Sequence, residues 1–400
     1  MNEVKSMKCS SPYGPETVRV LNQDEMVDIW QRSTVSVNVA YEHFHLVCRL
    51  RPQVIRPYVL HVIGSKATSE DFLLVGRLEK QRCCARLGYL QVSGPQVTGW
   101  VGVHGGWIGQ PTEAQITDAM NYLSILLRKR EIDFAVFHGM RRDAVATEVL
   151  LRWASTWPLY CRTPWTAHYL LHIPKDPEFL WKRLRSKHRA WLRGRKKRLR
   201  DSFKGHLEWH WHREFPDLEG LMARMETVAS RTYQRRLGAG FRNDAEHHAR
   251  FRLFVHHGIL RVLTLETDKR VLAFWVGELD NGVFYSAETG YDPDLREFEP
   301  GTLVFFRLTE NLVLEQTRLL DFGLGDADYK RRFADDSYEE ADVYLFGLSA
   351  RGLAAACLIG GLGRLHAAGR NWAARFGILN RIQTVWRRRL QGSDDKKEHE

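Results

Sequence analysis

Twice along the chain, three strand-like runs lead into one long helix and then one more strand, and few architectures accommodate that order. In the first half the runs are RPYVLHVIG (56–64), DFLLVGRL (71–78) and QVTGWVGVHGGW (96–107). The helix is PTEAQITDAMNYLSILLRKR (111–130), with Pro111 suited to a first helical position, and the closing strand is IDFAVFHG (132–139). In the second half HLEWHWH (206–212) alternates as a strand, and helices are expected around 217–236 and 244–257. ILRVLTLE (259–266), RVLAFWVGEL (270–279) and GVFYSAETG (282–290) follow, then the helix PGTLVFFRLTENLVLEQT (300–317) and the strand RLLDFG (318–323). The order predicts an α/β (α+β) fold of two domains, each a mixed twisted sheet flanked by helices. A length of 400 residues suits two or three domains, and no residue-level repeat accompanies the repeated order.

Charge divides the chain differently. Of 59 Lys and Arg, 11 lie between Trp181 and Arg200 and 8 between Val343 and Ser393, with no acid in either stretch. The remaining 40 face all 48 acidic residues, so an acidic body carries two basic arms, unlike a chain whose whole surface is built for nucleic acid. In the first arm Trp181, Leu184, His188, Trp191 and Leu199 recur at helical steps, leaving a dense cationic face. In the second, Leu379, Ile382, Val385 and Trp386 do the same. The expected boundaries are a first domain over 1–175, a basic linker helix over 176–205 and a second domain over 206–347. Basic helices over 348–390 and a disordered tail over 391–400 complete the chain. The start has no apolar core of signal-peptide length, and GLAAACLIGGLG is too short to span a bilayer. Six cysteines without a C-x-x-C pair fit a reducing cytoplasm.

Several motifs invite chemistry. GLGDAD (323–328) opens as G-x-G, but Asp328 occupies the place of the third glycine, so it is no dinucleotide loop. HGGW (104–107) lacks a G-x-S-x-G partner, and its glycines read as a bend in a strand. His206, His210 and His212 share one strand face with Glu208, which suits either a solvated face or part of a metal set. At FEPGTLVFF the helix opens with Pro300 and Gly301, and the amides of Gly301, Thr302 and Leu303 are candidates for phosphate. In LDFGLGDADYKRRF (320–333) a thioester carbonyl nearby would need a base, an oxyanion site and an acid for the thiolate. Tyr329 suits the acid, while Asp321, Asp326 and Glu288 suit the base; a purely structural turn is the alternative.

With LRSKHR (184–189), Tyr291-Asp292, PGTL (300–303) and DFGLGDADYKRRF (321–333), the second half resembles a GNAT-superfamily acyltransferase domain. It resembles most the group associated with cellulose and exopolysaccharide biosynthesis, related to Fem-type aminoacyltransferases. The resemblance covers about 180–345 and implies acetyl-CoA as donor, with Arg296, Pro300, Gly301, Thr302 and Leu303 toward the cofactor. It places Lys330 and Tyr291 beside a small-molecule or glycan-precursor acceptor and implies no metal. The first half fits a second, degenerate unit. Aminoacyl-tRNA is the alternative donor. A non-enzymatic scaffold, its basic helices on an anionic membrane surface, is the third possibility.

Overall fold

The computed structural model describes residues 17–30, 40–64, 70–87, 90–236, 240–268, 270–325 and 327–361. The expected helix around Leu379–Trp386 and the tail over 391–400 lie outside these residues, as does Asp326. The chain forms two units. One takes the chain up to Thr166 and again from Tyr338; the other takes Ala167–Ser337.

In the first unit two long strands, β1 (Phe72–Leu87) and β2 (Leu90–Ile108), pair antiparallel, and α1 (Glu113–Arg128) carries the chain over to β3 (Phe134–Arg141). β3 runs parallel to β2, in register from Gly99↔Phe134 to Val101↔Val136, as a helical crossover requires. Ile116, Ala119, Met120, Leu123 and Leu127 recur at three- and four-residue steps along α1 and are buried with Trp100 and Phe137. The strand Asp336–Phe346 returns to this unit and pairs antiparallel with β3.

The second unit begins with β4 (Thr166–His172) and α2 (Ser186–Ser202), then β5 (Glu208–His212). Two helices, α3 (Leu218–Ala229) and α4 (Ala245–His256), are each capped by an aspartate side chain, Asp217 on Gly220 N and Asp244 on His247 N. The strands β6 (Leu260–Thr267), β7 (Arg270–Asp280) and β8 (Val283–Tyr291) form a meander. The helix α5 (Pro300–Leu314) crosses to β9 (Leu319–Leu324), and α6 (Asp328–Phe333) follows. Across the sheet the order is β5-β6-β7-β8-β9-β4, antiparallel except for β8 and β9. One face packs Trp275, Phe305, Phe322 and Phe333 under α5 and α6, and Leu192 and Leu199 of α2 join the same core. On the other face Phe241 packs between Phe274 of β7 and Phe251 of α4.

Three features depart from the sequence expectation. The helix foreseen over 217–236 ends at Ala229, where the Thr232 hydroxyl takes the Ala229 carbonyl, and only Tyr233–Arg236 resumes it. Four strands were not foreseen: the short Val18–Val20 and Tyr160–Arg162, β4, which Pro164 and scattered polar residues mask, and Asp336–Phe346, which acidic residues open. The expected linker helix is part of the second unit's core, and residues 338–361 belong to the first unit.

Candidate functional site

The defining geometry is a parting of strands. β8 and β9 pair only from Val283↔Leu319 to Tyr285↔Asp321, after which β8 continues to Tyr291 and β9 to Leu324. Just past the last pair, β8 is bulged. Val276 faces Glu288 but Gly277 faces Ser286, so Ala287 is an extra residue that bends the strand. From there on, one edge of each strand is released from its neighbour, leaving backbone N–H and C=O groups to be satisfied by something else.

The end of β8 leads into a tight loop before α5. Asp292, almost wholly buried, accepts a hydrogen bond from Arg231 at 2.8 Å and another from Arg270, and Arg231 also reaches Asp294. Glu299, at φ 57°, is left-handed and turns its carbonyl beneath the helix start, where it accepts from both Thr302 N and Leu303 N. The expectation of three outward amides is therefore corrected. Pro300 has no N–H, Thr302 and Leu303 are engaged, and only the Gly301 amide has no partner among the described residues. Leu303 is a buried core residue, and Arg296 stands exposed on the loop. A Cβ at Gly301 would meet nothing nearer than the Tyr291 ring, at 3.6 Å, so the approach is open. No side chain caps this helix, and no acid lies in its first turn.

Below the parting, Gly323 and Gly325 take φ of 70° and 106°, a conformation that costs other residues about 1 kcal/mol or more. Asp321 and Lys330 hold that turn. Asp321 Oδ1 accepts from Gly323 N at 2.7 Å and faces His168 Nε2 at 2.6 Å. The Lys330 ammonium is buried and donates to the carbonyls of Phe322, Gly323 and Leu324. Its three protons thus go to the turn, whereas the sequence placed it beside the acceptor. Tyr329, half-buried, stands edge-on to Phe322 and Trp275, with ring centroids 5.8 and 6.1 Å away.

Strand alternation separates the candidates. Tyr329 touches Phe322, so it lies on the α5 side, while Asp321 points to the opposite face. Tyr285 pairs with both Asp321 and Glu278, and Glu288 pairs with Val276, so Asp321, Glu278 and Glu288 share the α4 face. There Glu288 Oε1 takes Arg250 at 2.7 Å and His247 Nε2 at 3.3 Å, and His247 Nδ1 meets Asp244 at 2.7 Å. Burial alone would raise the Glu288 carboxyl, but the bonds from His247 and Arg250 outweigh it, and the net shift is downward. Glu288 Oε2 is buried and has no partner among the described residues. Glu278, missed by the sequence because it sits inside an apolar run, is buried on the same face. Burial, and secondarily the like charge of Glu288, pushes its carboxyl up to about 7.

The other motifs fall elsewhere. At HGGW the register of β1 on β2 shifts, Leu74 facing Trp107 and Gly76 facing Gly102, so the glycines sit in an irregular bend. His210 lies 3.3 Å from Glu208, and His212 bonds Thr264 at 3.0 Å. Among the described residues no three His, Cys, Asp or Glu side chains converge as a metal set, and no helix is long and apolar enough to cross a membrane.

A family model described as an acetyltransferase (GNAT) domain matches residues 186–331, which contain the parted strands, the α5 start and Tyr329. A structure of FemX aligns at a TM-score of 0.53 with 8% identity, over 82% of this chain and 97% of that one. A conserved protein of unknown function from Bacteroides thetaiotaomicron aligns at 0.48 with 12% identity, over 82% and 99%. A tandem GNAT protein from the clavulanic acid biosynthesis pathway aligns at 0.46 with 11% identity, over 83% and 99%. Among curated proteins none matches the chain significantly. The mixed α/β fold is thus shared with FemX, residues 186–331 match a GNAT acetyltransferase domain, and that match supports an acyltransferase.

Proposed function

We propose that the second unit transfers an acetyl group from acetyl-CoA to an amine on a sugar or other cell-envelope or exopolysaccharide precursor. The observation that carries this reading is the parting of β8 and β9 beneath an uncapped helix start. The pantetheine arm of an acyl-CoA would lie in the opening and take the released strand-edge groups. The pyrophosphate would rest on the Gly301 amide and the positive end of α5, with Arg296 exposed nearby. Tyr291 lines that approach and can orient donor or acceptor.

The chemistry follows from the two faces. The acceptor amine attacks the thioester carbonyl, and its proton goes to Glu288 Oε2, directly or through one water, with Asp321 as the second carboxylate on that face. Backbone N–H groups at the Ala287 bulge receive the oxyanion. The carbon–sulfur bond then breaks, and the Tyr329 hydroxyl protonates the departing thiolate from the α5 side. Lys330 acts by holding the turn that carries Tyr329. The described cysteines are free, and we place the enzyme in the cytoplasm, peripheral to the inner membrane.

The test is calorimetric titration of acetyl-CoA into the wild type and Gly301→Asp. A carboxylate beside the open Gly301 amide should weaken binding by about 100-fold. No binding to the wild type would refute the donor assignment. A second reading, with aminoacyl-tRNA as donor, draws on the exposed cations of α2, and it requires tRNA affinity that falls steeply with salt.

A further inference from the structure

The groove between α2 and α5 is a separate feature from the opening between β8 and β9. Its cavity of about 480 Å³ falls in the size range of small-molecule sites. Arg193, Lys196, Lys197 and Arg200 line one wall, at steps of three, one and three residues that put them on one helix face. Arg307 of α5 stands on the other wall. The floor is apolar, built from Trp209 of β5, Leu207 just before it, Leu265 of β6, and Leu199 and Leu303 of the two helices. No carboxylate lines this cavity. Glu310 lines the small adjoining recess and bonds Arg307 NH1 at 2.8 Å.

Four cations on one helix face repel one another, and in this chain acidic residues outnumber basic ones outside the two arms. Yet among the described residues Arg193, Lys196, Lys197 and Arg200 meet no acidic partner, and Arg307 Nε is buried without a hydrogen bond. A solvated basic face would not need an apolar floor beneath it. A site that reads a particular base would need groups for its edges, and the lining offers leucines, one tryptophan and cations. What matches both features is multiple negative charge carried on a hydrocarbon body.

We propose that this groove binds the phosphate head and the first part of the chain of an anionic lipid. The phosphate sits among Arg193, Lys196, Lys197, Arg200 and Arg307, and the chain lies on Trp209, Leu207 and Leu265. The site is independent of the acyl-donor assignment. It gives the second unit a lipid contact made by one defined pocket, in addition to any general attraction of basic helices to a charged surface.

The experiment compares Lys196→Glu/Lys197→Glu with a charge-matched control, Lys187→Glu/Arg198→Glu, whose residues are exposed on α2 but do not line the groove. All four side chains are exposed, and matching melting temperatures establish that the variants fold. Lysophosphatidic acid is titrated by calorimetry, and co-sedimentation is measured on phosphatidylcholine vesicles with and without phosphatidic acid. The groove pair should weaken lysophosphatidic acid binding roughly tenfold or more, and the control should change it less than about threefold. Vesicle binding should require phosphatidic acid and follow the same ranking. Equal loss in both variants would overturn the proposal in favour of diffuse attraction. So would absence of binding by the wild type, or groove-dependent binding of pyrophosphate, ATP or tRNA tighter than that of the lipid.

Discussion

Each unit contains the same crossover, a strand, a helix and a parallel strand, but the two helices begin in opposite ways. α1 is closed by its own side chains. Thr112 Oγ1 accepts from Gln115 N, the Gln115 side chain accepts from Thr112 N, and Glu113 adds negative charge in the first turn. α5 is left open, with no side-chain cap, no acid, a glycine in its first turn and a left-handed residue before it. A capping box stabilises a helix by about 1 kcal/mol and occupies the place an anion would take; an open start forgoes that stabilisation and keeps the place free. The difference teaches that a repeated topology does not imply a repeated site. What separates a structural crossover from the one proposed to bind the donor is the treatment of a few N–H groups.

The comparison can be broken or sharpened in four ways. If the open start marks the reactive unit, Tyr329→Phe should lower kcat by about 10²–10⁴-fold with little change in KM for the donor. Unchanged turnover would detach the chemistry from that unit. Gly301→Asp should cost about 100-fold in donor affinity, and Ala114→Asp in the first turn of α1 should cost none; an equal loss would erase the contrast. Glu278→Gln asks whether the second unit gives up stability by burying carboxylates on its α4 face. The folded Glu278 carboxyl, near 7, lies above its ordinary value of 4.5. Between those two pH values the folded chain holds a proton that the unfolded chain releases, so this group's contribution falls as pH rises through the window. The Gln variant should therefore melt several degrees higher than wild type at pH 8, and at the same temperature near pH 4. Thr112→Ala is the mildest, about 1 kcal/mol or a few degrees of melting temperature, with acetyl-CoA affinity unchanged.

Much of this was legible in the sequence where it depends on period and on local chemistry. The α5 crossover was readable because Pro300 and Gly301 follow an alternating run and precede a long apolar helix. Tyr329 was singled out because it begins a helix after two glycines. What could not be read depends on contacts distant in sequence. Asp321 and Tyr329 are eight positions apart and lie on opposite faces of the sheet, which only the pairing of β9 and the contact of Tyr329 with Phe322 reveal. Lys330 looked like a ligand-binding cation until its ammonium was seen to bond three carbonyls. Glu278 gave no signal, because a carboxylate within RVLAFWVGELD looks like the end of a strand. The engaged amides of Thr302 and Leu303 follow from the left-handed Glu299, a conformation that a non-glycine residue does not announce.

The packing of α2 and the segment before it bears on how the second unit can be cut. Leu171, Leu180 and Leu184 are buried in its core, and Trp181 lies flat on Phe306 with ring centroids 3.9 Å apart. All four precede residue 186, and Phe333 at the other end follows 331. A fragment trimmed to the stretch that carries the family signature would lose those side chains and the strand that pairs with β9, at roughly 2–5 kcal/mol for each large apolar group removed. The segment that matches the family model is therefore shorter than the segment that can fold, and an isolated second unit has to start ahead of β4.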